Sequence, residues 1–194
     1  MGFRDLQLLD DALGLVQRAL DLGWVPEQVR VIDTDLGSSG RDGERVGFRD
    51  LVAAYIHHQY ASLGLVVYRE VNLGKTIIAK DRQIDVFVVR PDDQRAIAIE
   101  CKYQDVQGTA DEKIPYALDD LAALWMPGCL VYAGRGWSKG VLHQLEASRL
   151  AAYCLPDRQS LARGKATREL DHVLAATFGY WEQILPAAKR FRGP

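Results

Sequence analysis

The chain has 194 residues, 48% of them apolar and 26% charged, with a formal net charge of −2. That length supports one packed domain or a domain with an appendage, and the balance excludes a disordered chain and a protein held to nucleic acid by blanket basic charge. No run approaches the roughly 18 apolar residues that a membrane span needs. The start MGFRDLQLLDD has no apolar signal core, so a cytoplasmic setting without a membrane is expected. Cys101, Cys129 and Cys154 are odd in number and far apart, which argues for free buried thiols rather than a disulfide framework or a zinc site.

In chain order, residues 4–22 place Leu6, Leu9, Leu13, Val16 and Leu20 at helical spacing. Residues 29–33 predict a short strand, and the Gly/Ser/Asp-rich stretch 34–45 a loop. A second helix is predicted over 46–62, stopped by Gly64. The pattern then turns to strands. One covers 65–71. Residues 75–80 and 82–90 read as a hairpin or one long bent strand, and 95–104 as another strand after the turn at Pro91-Asp92-Asp93. Residues 111–125 predict a helix, 128–134 a strand, 138–154 a helix, and 160–186 a helix interrupted near Gly164 and Gly179. Thr109-x-x-Glu112 fits a capping box, although Pro115 moves the expected helix start towards Ile114, with 107–113 as a loop. Three strands, a helical crossover and a further strand imply a mixed α/β sheet with helices on its faces.

The chemistry concentrates on two of these strands. Side chains alternate along a strand, so Glu100, Lys102 and Gln104 share one face of IAIECKYQ and Ile97, Ile99, Cys101 and Tyr103 the other. In RQIDVFVV, Asp85 interrupts a segment that is apolar on both faces. A carboxylate there costs several kcal/mol if buried unpaired. If the two strands pair, Asp85 approaches Glu100, and two carboxylates held together repel. A divalent cation removes the conflict. Mg²⁺ takes one or two carboxylates with waters and phosphate oxygens, and the backbone carbonyl of Cys101 offers a further ligand. Glu70, on the preceding strand, is a candidate third acid.

An Asp at one strand end and Glu-x-Lys on the next, here Asp85, fourteen residues, then Glu100-Cys101-Lys102, resembles the PD-(D/E)XK nuclease superfamily. The resemblance covers about residues 46–155, with Ile84 where the family name has Pro. It implies a restriction-endonuclease-like mixed sheet flanked by helices, and Mg²⁺-dependent hydrolysis of DNA, with Mn²⁺ able to substitute. Asp85 and Glu100 would hold the metal. Lys102 would act on the attacking water and the developing charge, and Gln104 would position Lys102 or a phosphate. Residues 104–116 resemble restriction-type members in which a lysine such as Lys113 opens the next helix. Lys113, Arg135 and Lys139 are candidate DNA contacts, and a homodimer would let both strands be cut. His57, His58, His143 and His172 lack ligand partners at suitable spacing, and Asp111, Asp119 and Asp120 read as a solvated helix face.

Residues 6–55 resemble part of the serine recombinase catalytic domain. Arg45 matches a family arginine, but Ser38 and Ser39 lie in the loop rather than at the nucleophile position, so recombination chemistry is not expected. The expected division is a recombinase-like helix-strand-loop-helix appendage (1–45), a nuclease core (46–155) and a helical extension (156–194). The expected function is a DNA endonuclease of mobile-element, phage or restriction type. The rivals are an inactive DNA-binding or assembly module on the same fold and a recombinase-derived regulatory protein.

Overall fold

A computed structural model of the chain describes residues 47–108, 110–191 and 193. The readings made for residues 1–46 and the capping role of Thr109 lie outside the described residues.

Helix α1 (Phe48–Tyr60) buries Leu51, Val52, Tyr55, Ile56 and Tyr60, a set at three- and four-residue steps that forms one apolar stripe. A 3₁₀ turn over Ala61–Leu63 follows, and Gly64 closes it at φ 88°, a conformation only glycine adopts without strain. Strands β1 (Val66–Lys75), β2 (Asp81–Arg90) and β3 (Arg95–Tyr103) are antiparallel neighbours. Helix α2 (Ala110–Ala122) crosses over to β4 (Gly128–Ala133), parallel to β3. Helix α3 (Lys139–Ala147) leads to β5 (Ala151–Tyr153), parallel to β4, and helix α4 (Arg168–Phe178) follows. The sheet is five-stranded and mixed, in the order β1-β2-β3-β4-β5.

Its two faces are covered differently. Ile114, Leu118 and Leu121 of α2 and Leu145 of α3 pack on Leu130, Tyr132 and Trp137. Helices α1 and α4 meet through a buried carboxylate, Asp171, which is 3% exposed. It accepts hydrogen bonds from the hydroxyls of Tyr55 (2.7 Å), Tyr60 (2.8 Å) and Thr167 (3.2 Å). Burial first, then the neighbouring Asp171, pushes the Tyr60 phenol up, and burial does the same to Tyr55.

Three sequence expectations are corrected. Residues 75–80 are not a strand: β1 runs on to Lys75, and 76–80 form the turn, closed by Thr76 N–H on the Lys80 carbonyl (2.8 Å). Ile77 and Ile78 mimic a strand in sequence but are exposed at its tip. The predicted helix 138–154 stops at Ala147, and 151–153 instead pair with β4, because an open strand edge outweighs the weak helical preference of Ala-Ala-Tyr. Helix α2 begins at Ala110 rather than near Ile114, because the Gln104 side-chain oxygen receives the Ala110 N–H (3.1 Å), leaving Pro115 one turn inside on the exposed side.

Candidate active site

Strand β3 has two different neighbours. Its pairing with β2 runs from Arg95↔Arg90 to Ile99↔Val86 and ends there. Its pairing with β4 continues from Ala98 to Tyr103. From Glu100 onward, β3 is therefore open on the β2 side. The next residue on β2 is Asp85, which the same register sets opposite Glu100. Its carboxylate takes over from the lost ladder, accepting the Cys101 N–H at 2.8 Å. Two residues along β3, on the same face as Glu100, the Lys102 ammonium donates to Glu100 Oε1 at 2.5 Å, with both side chains about one quarter exposed. The splay thus brings Asp85, Glu100 and Lys102 together.

The electrostatics follow from this packing. Burial raises the Glu100 carboxyl above the usual glutamate range; Lys102 opposes the rise, and the charge of Asp85 adds to it. Burial pushes the Cys101 thiol up, leaving it protonated and inert, while its backbone N–H does the positioning. Among the described residues, one oxygen of Asp85 and one of Glu100 have no hydrogen-bond partner. Two adjacent carboxylates, each with a spare oxygen, with the charge of Asp85 acting against that of Glu100, suit a divalent ion such as Mg²⁺, which needs only one or two protein carboxylates.

The third acid does not join them. No group of three possible ligand side chains converges among the described residues. Glu70 falls between the paired positions Arg69↔Val86 and Val71↔Ile84, at φ 54°, and its carboxylate is taken by Arg49 at 2.6 Å. In this arrangement Glu70, the candidate third acid, is paired with Arg49 rather than gathered with Asp85 and Glu100.

Gln104, expected to position Lys102 or a phosphate, is engaged elsewhere. It is 6% exposed, and no hydrogen bond joins it to Lys102 among the described residues. Its amide nitrogen donates to Asp111 (2.7 Å) and to the Gly136 carbonyl (2.8 Å), so both donors are committed, and its oxygen holds the Ala110 N–H. Gln104 is a strut between the start of α2 and the β4–α3 turn. Asp111, expected to be solvated, completes the strut by accepting the Ser138 N–H at 3.1 Å. Glycines are required in that turn for close approach: a Cβ on Gly134 would lie 2.2 Å from the Gln104 carbonyl oxygen, and one on Gly136 2.5 Å from the Val106 backbone. Lys113, Arg135 and Lys139 are exposed on the segments that this strut joins.

Sequence reasoning also missed Arg82 and Asp120. Asp120, read as solvated, accepts two hydrogen bonds from the nearly buried Arg82 guanidinium, both 2.8 Å, and the Ile77 N–H at 3.0 Å. The arginine holds its carboxyl below the usual range. The pair clamps the β1–β2 hairpin to α2, and its acid adds to the field that raises Glu100. The available signal was an arginine at the start of a strand with an acid on the crossover helix, which sequence alone does not pair.

A family model described as a PD-(D/E)XK nuclease superfamily domain matches residues 46–181. The chain belongs to the PD-(D/E)XK nuclease superfamily. The match takes in the whole described sheet and α4, and Asp85…Glu100-Cys101-Lys102 lies within it. No curated protein matches the sequence. Two solved structures are similar in part. The crystal structure of a repair endonuclease from Pyrococcus abyssi is 17% identical, over 59% of this chain and 47% of that one, with a TM-score of 0.34. A protein of unknown function, AF1548, is 11% identical over 52% of this chain and 54% of its own, also with a TM-score of 0.34. The chain spans about half the length of these solved structures. The recombinase resemblance over residues 6–55 finds no support in these comparisons, and most of that segment lies outside the described residues.

Proposed function

We propose that this PD-(D/E)XK domain is a Mg²⁺-dependent deoxyribonuclease, with Asp85 and Glu100 as metal ligands and Lys102 as the residue acting on the attacking water. The observation that carries the reading is the end of the β2–β3 ladder at Val86↔Ile99, beyond which these three side chains meet. The Cys101 carbonyl is the further ligand we assign. When bound, Mg²⁺ supplies Lewis acidity to a phosphoryl oxygen and lowers the pKa of a water. The chain's own groups do the rest. The Cys101 N–H fixes one Asp85 oxygen and leaves the other for the ion. Lys102, which steadies Glu100 in the ion-free protein, can turn its ammonium to a phosphate and offset the charge that develops on it. The Gln104–Asp111 strut sets the end of β3 against α2 and presents Lys113, Arg135 and Lys139 as candidate contacts to the DNA backbone. We further propose an endonuclease of mobile-element, phage or restriction type, acting as a homodimer where both strands are cut.

The test is cleavage of a circular plasmid and of short single- and double-stranded DNA with Mg²⁺ or Mn²⁺. Asp85→Ala and Lys102→Ala are expected to slow cleavage by at least 10²–10³-fold, the cost of removing one group that acts on transition-state charge. Linearised or nicked plasmid identifies an endonuclease. Variants that cleave as fast as the wild type would remove the site assignment. A wild type that cleaves nothing and binds neither ion would leave the DNA-binding or assembly module as the better reading.

A further inference from the structure

Strand β3 ends at Tyr103, and alternation puts its ring on the face opposite Glu100 and Lys102. The ring is 45% exposed, yet it is held. It packs on Phe48 with centroids 5.3 Å apart at 40°, and its hydroxyl donates to Asp105 at 2.6 Å. A pinned aromatic ring with one open side is a stacking platform that loses little entropy on binding. Beside it lies an open groove of about 950 Å³, lined by Phe48, Tyr103, Leu155, Asp157, Arg158 and Lys165.

The charges in this groove are unevenly committed. Arg158 is close enough for its charge to act on the Tyr103 phenol. Arg158 and Lys165 are exposed, and neither forms an ion pair among the described residues. The lining acid, Asp157, is turned into its own loop, where one oxygen accepts the Gln159 N–H (3.1 Å), the Ser160 N–H (2.8 Å) and the Ser160 hydroxyl (2.9 Å). Tyr103 occupies the acid that lies nearest to it, Asp105. The groove therefore offers one aromatic face and two cations without an ion-pair partner among the described residues, at the end of the strand that carries the proposed catalytic residues.

That combination matches single-stranded nucleic acid, in which bases stack on aromatic rings and phosphates follow a cationic track. A duplex cannot use it, because its base faces are already stacked on one another. We propose that this groove binds an unpaired stretch of DNA that continues round the end of β3 from the scissile phosphate, with one base stacked on Tyr103 and backbone phosphates against Arg158 and Lys165. The inference rests on the nuclease reading and makes the substrate single-stranded or locally opened DNA.

The test separates the two readings because it needs no cleavage. Fluorescein-labelled oligo(dT) and a blunt duplex of the same length are titrated with the full chain in EDTA and followed by anisotropy. The wild type is expected to bind the single strand more tightly than the duplex. Tyr103→Ala should weaken single-strand binding by about fivefold to a hundredfold while leaving duplex binding unchanged, and Tyr103→Trp should retain it. Arg158→Ala with Lys165→Ala should flatten the slope of log affinity against log salt by about 1.4, two phosphate contacts on a single strand. Equal binding of both DNAs by the wild type, or single-strand binding indifferent to Tyr103→Ala, would overturn the proposal, whatever the plasmid assay shows. Circular dichroism on each variant checks that the fold persists.

Discussion

Asp171 accepts hydrogen bonds from three hydroxyls, with Arg163 3.8 Å away and stacked over the Tyr60 ring, whereas Glu100 faces Asp85 and, among the described residues, has the Lys102 ammonium as its one hydrogen-bond donor. Both centres withdraw carboxylates from water on opposite faces of one sheet. At Asp171 the surrounding groups satisfy the charge, and the centre fastens α4 to α1. At Asp85 and Glu100 the strands part, each carboxylate keeps an oxygen without a hydrogen-bond partner among the described residues, and burial works against ionisation of Glu100. A carboxylate tolerated in an incompletely satisfied state marks a place where a ligand completes it. The centres differ in partners as well as in burial, since Asp171 is 3% exposed and the Glu100 side chain about one quarter.

The comparison breaks first at its stable end. Asp171→Ala removes the shared acceptor of Tyr55, Tyr60 and Thr167 and leaves Arg163 without its acid, so unfolding free energy should fall by about 3–5 kcal/mol, a Tm drop on the order of 10 °C for a chain of this size. A drop no larger than that of a surface substitution would show that the network contributes nothing. At the other end, Glu100→Gln should leave metal-free stability unchanged or raise it, because it removes a repulsion. The same change should abolish ion-linked stabilisation, about 2.7 kcal/mol for the wild type at a hundredfold excess of Mg²⁺ over Kd. Thermal melts with and without EDTA read both effects. A wild type that does not respond to Mg²⁺ or Mn²⁺ would argue against the metal assignment.

Arg82→Ala lies between the two. The pair it breaks is nearly buried but borders solvent, so a loss of about 2 kcal/mol is expected. A double-mutant cycle with Asp120→Ala by urea unfolding measures the coupling; a coupling near zero would mean that α2 holds the hairpin by other contacts. The smallest effects are on pH dependence, and their signs differ. Glu100 has a folded pKa above its unfolded value. Its contribution to stability is fully present below the unfolded pKa and is lost as pH rises from the ordinary glutamate range through the raised value. Asp120 has a depressed folded pKa. Its contribution is present above the ordinary aspartate range and is lost as pH falls through the lowered value. Metal-free stability curves of wild type, Glu100→Gln and Asp120→Asn should separate these slopes, and a Glu100→Gln curve parallel to wild type above pH 4 would contradict the first.

Much of the candidate site was legible because strand alternation is local. Glu100 and Lys102 must share a face if 95–103 is a strand, and Asp85 stands out in an apolar segment without any knowledge of its partner. The family resemblance read from those residues was matched by the family model over 46–181. Contacts between distant segments were not legible. Asp171 meets Tyr55 across 116 residues, and an isolated acid in a helix gives no hint of which hydroxyls it will meet. Asp111 and Asp120 look alike in an amphipathic helix, yet Asp111 ties to Ser138 and Asp120 to Arg82. Alternation alone carries the face of Glu100 and Lys102 on to Gln104. The strand has already ended there, and the turn at Gly134 and Gly136 has closed over it.

The sequence by itself determined the β-α-β order and the strand positions of the acids and the lysine, since period and residue type act over a few neighbours. The tertiary structure decided which acids are completed and which are left wanting. That depends on where the β2–β3 ladder stops and on which side chains are carried there by elements far away in the chain. Spare oxygens at Asp85 and Glu100, but none at Asp171, follow from the packing of the whole sheet, which no local pattern encodes.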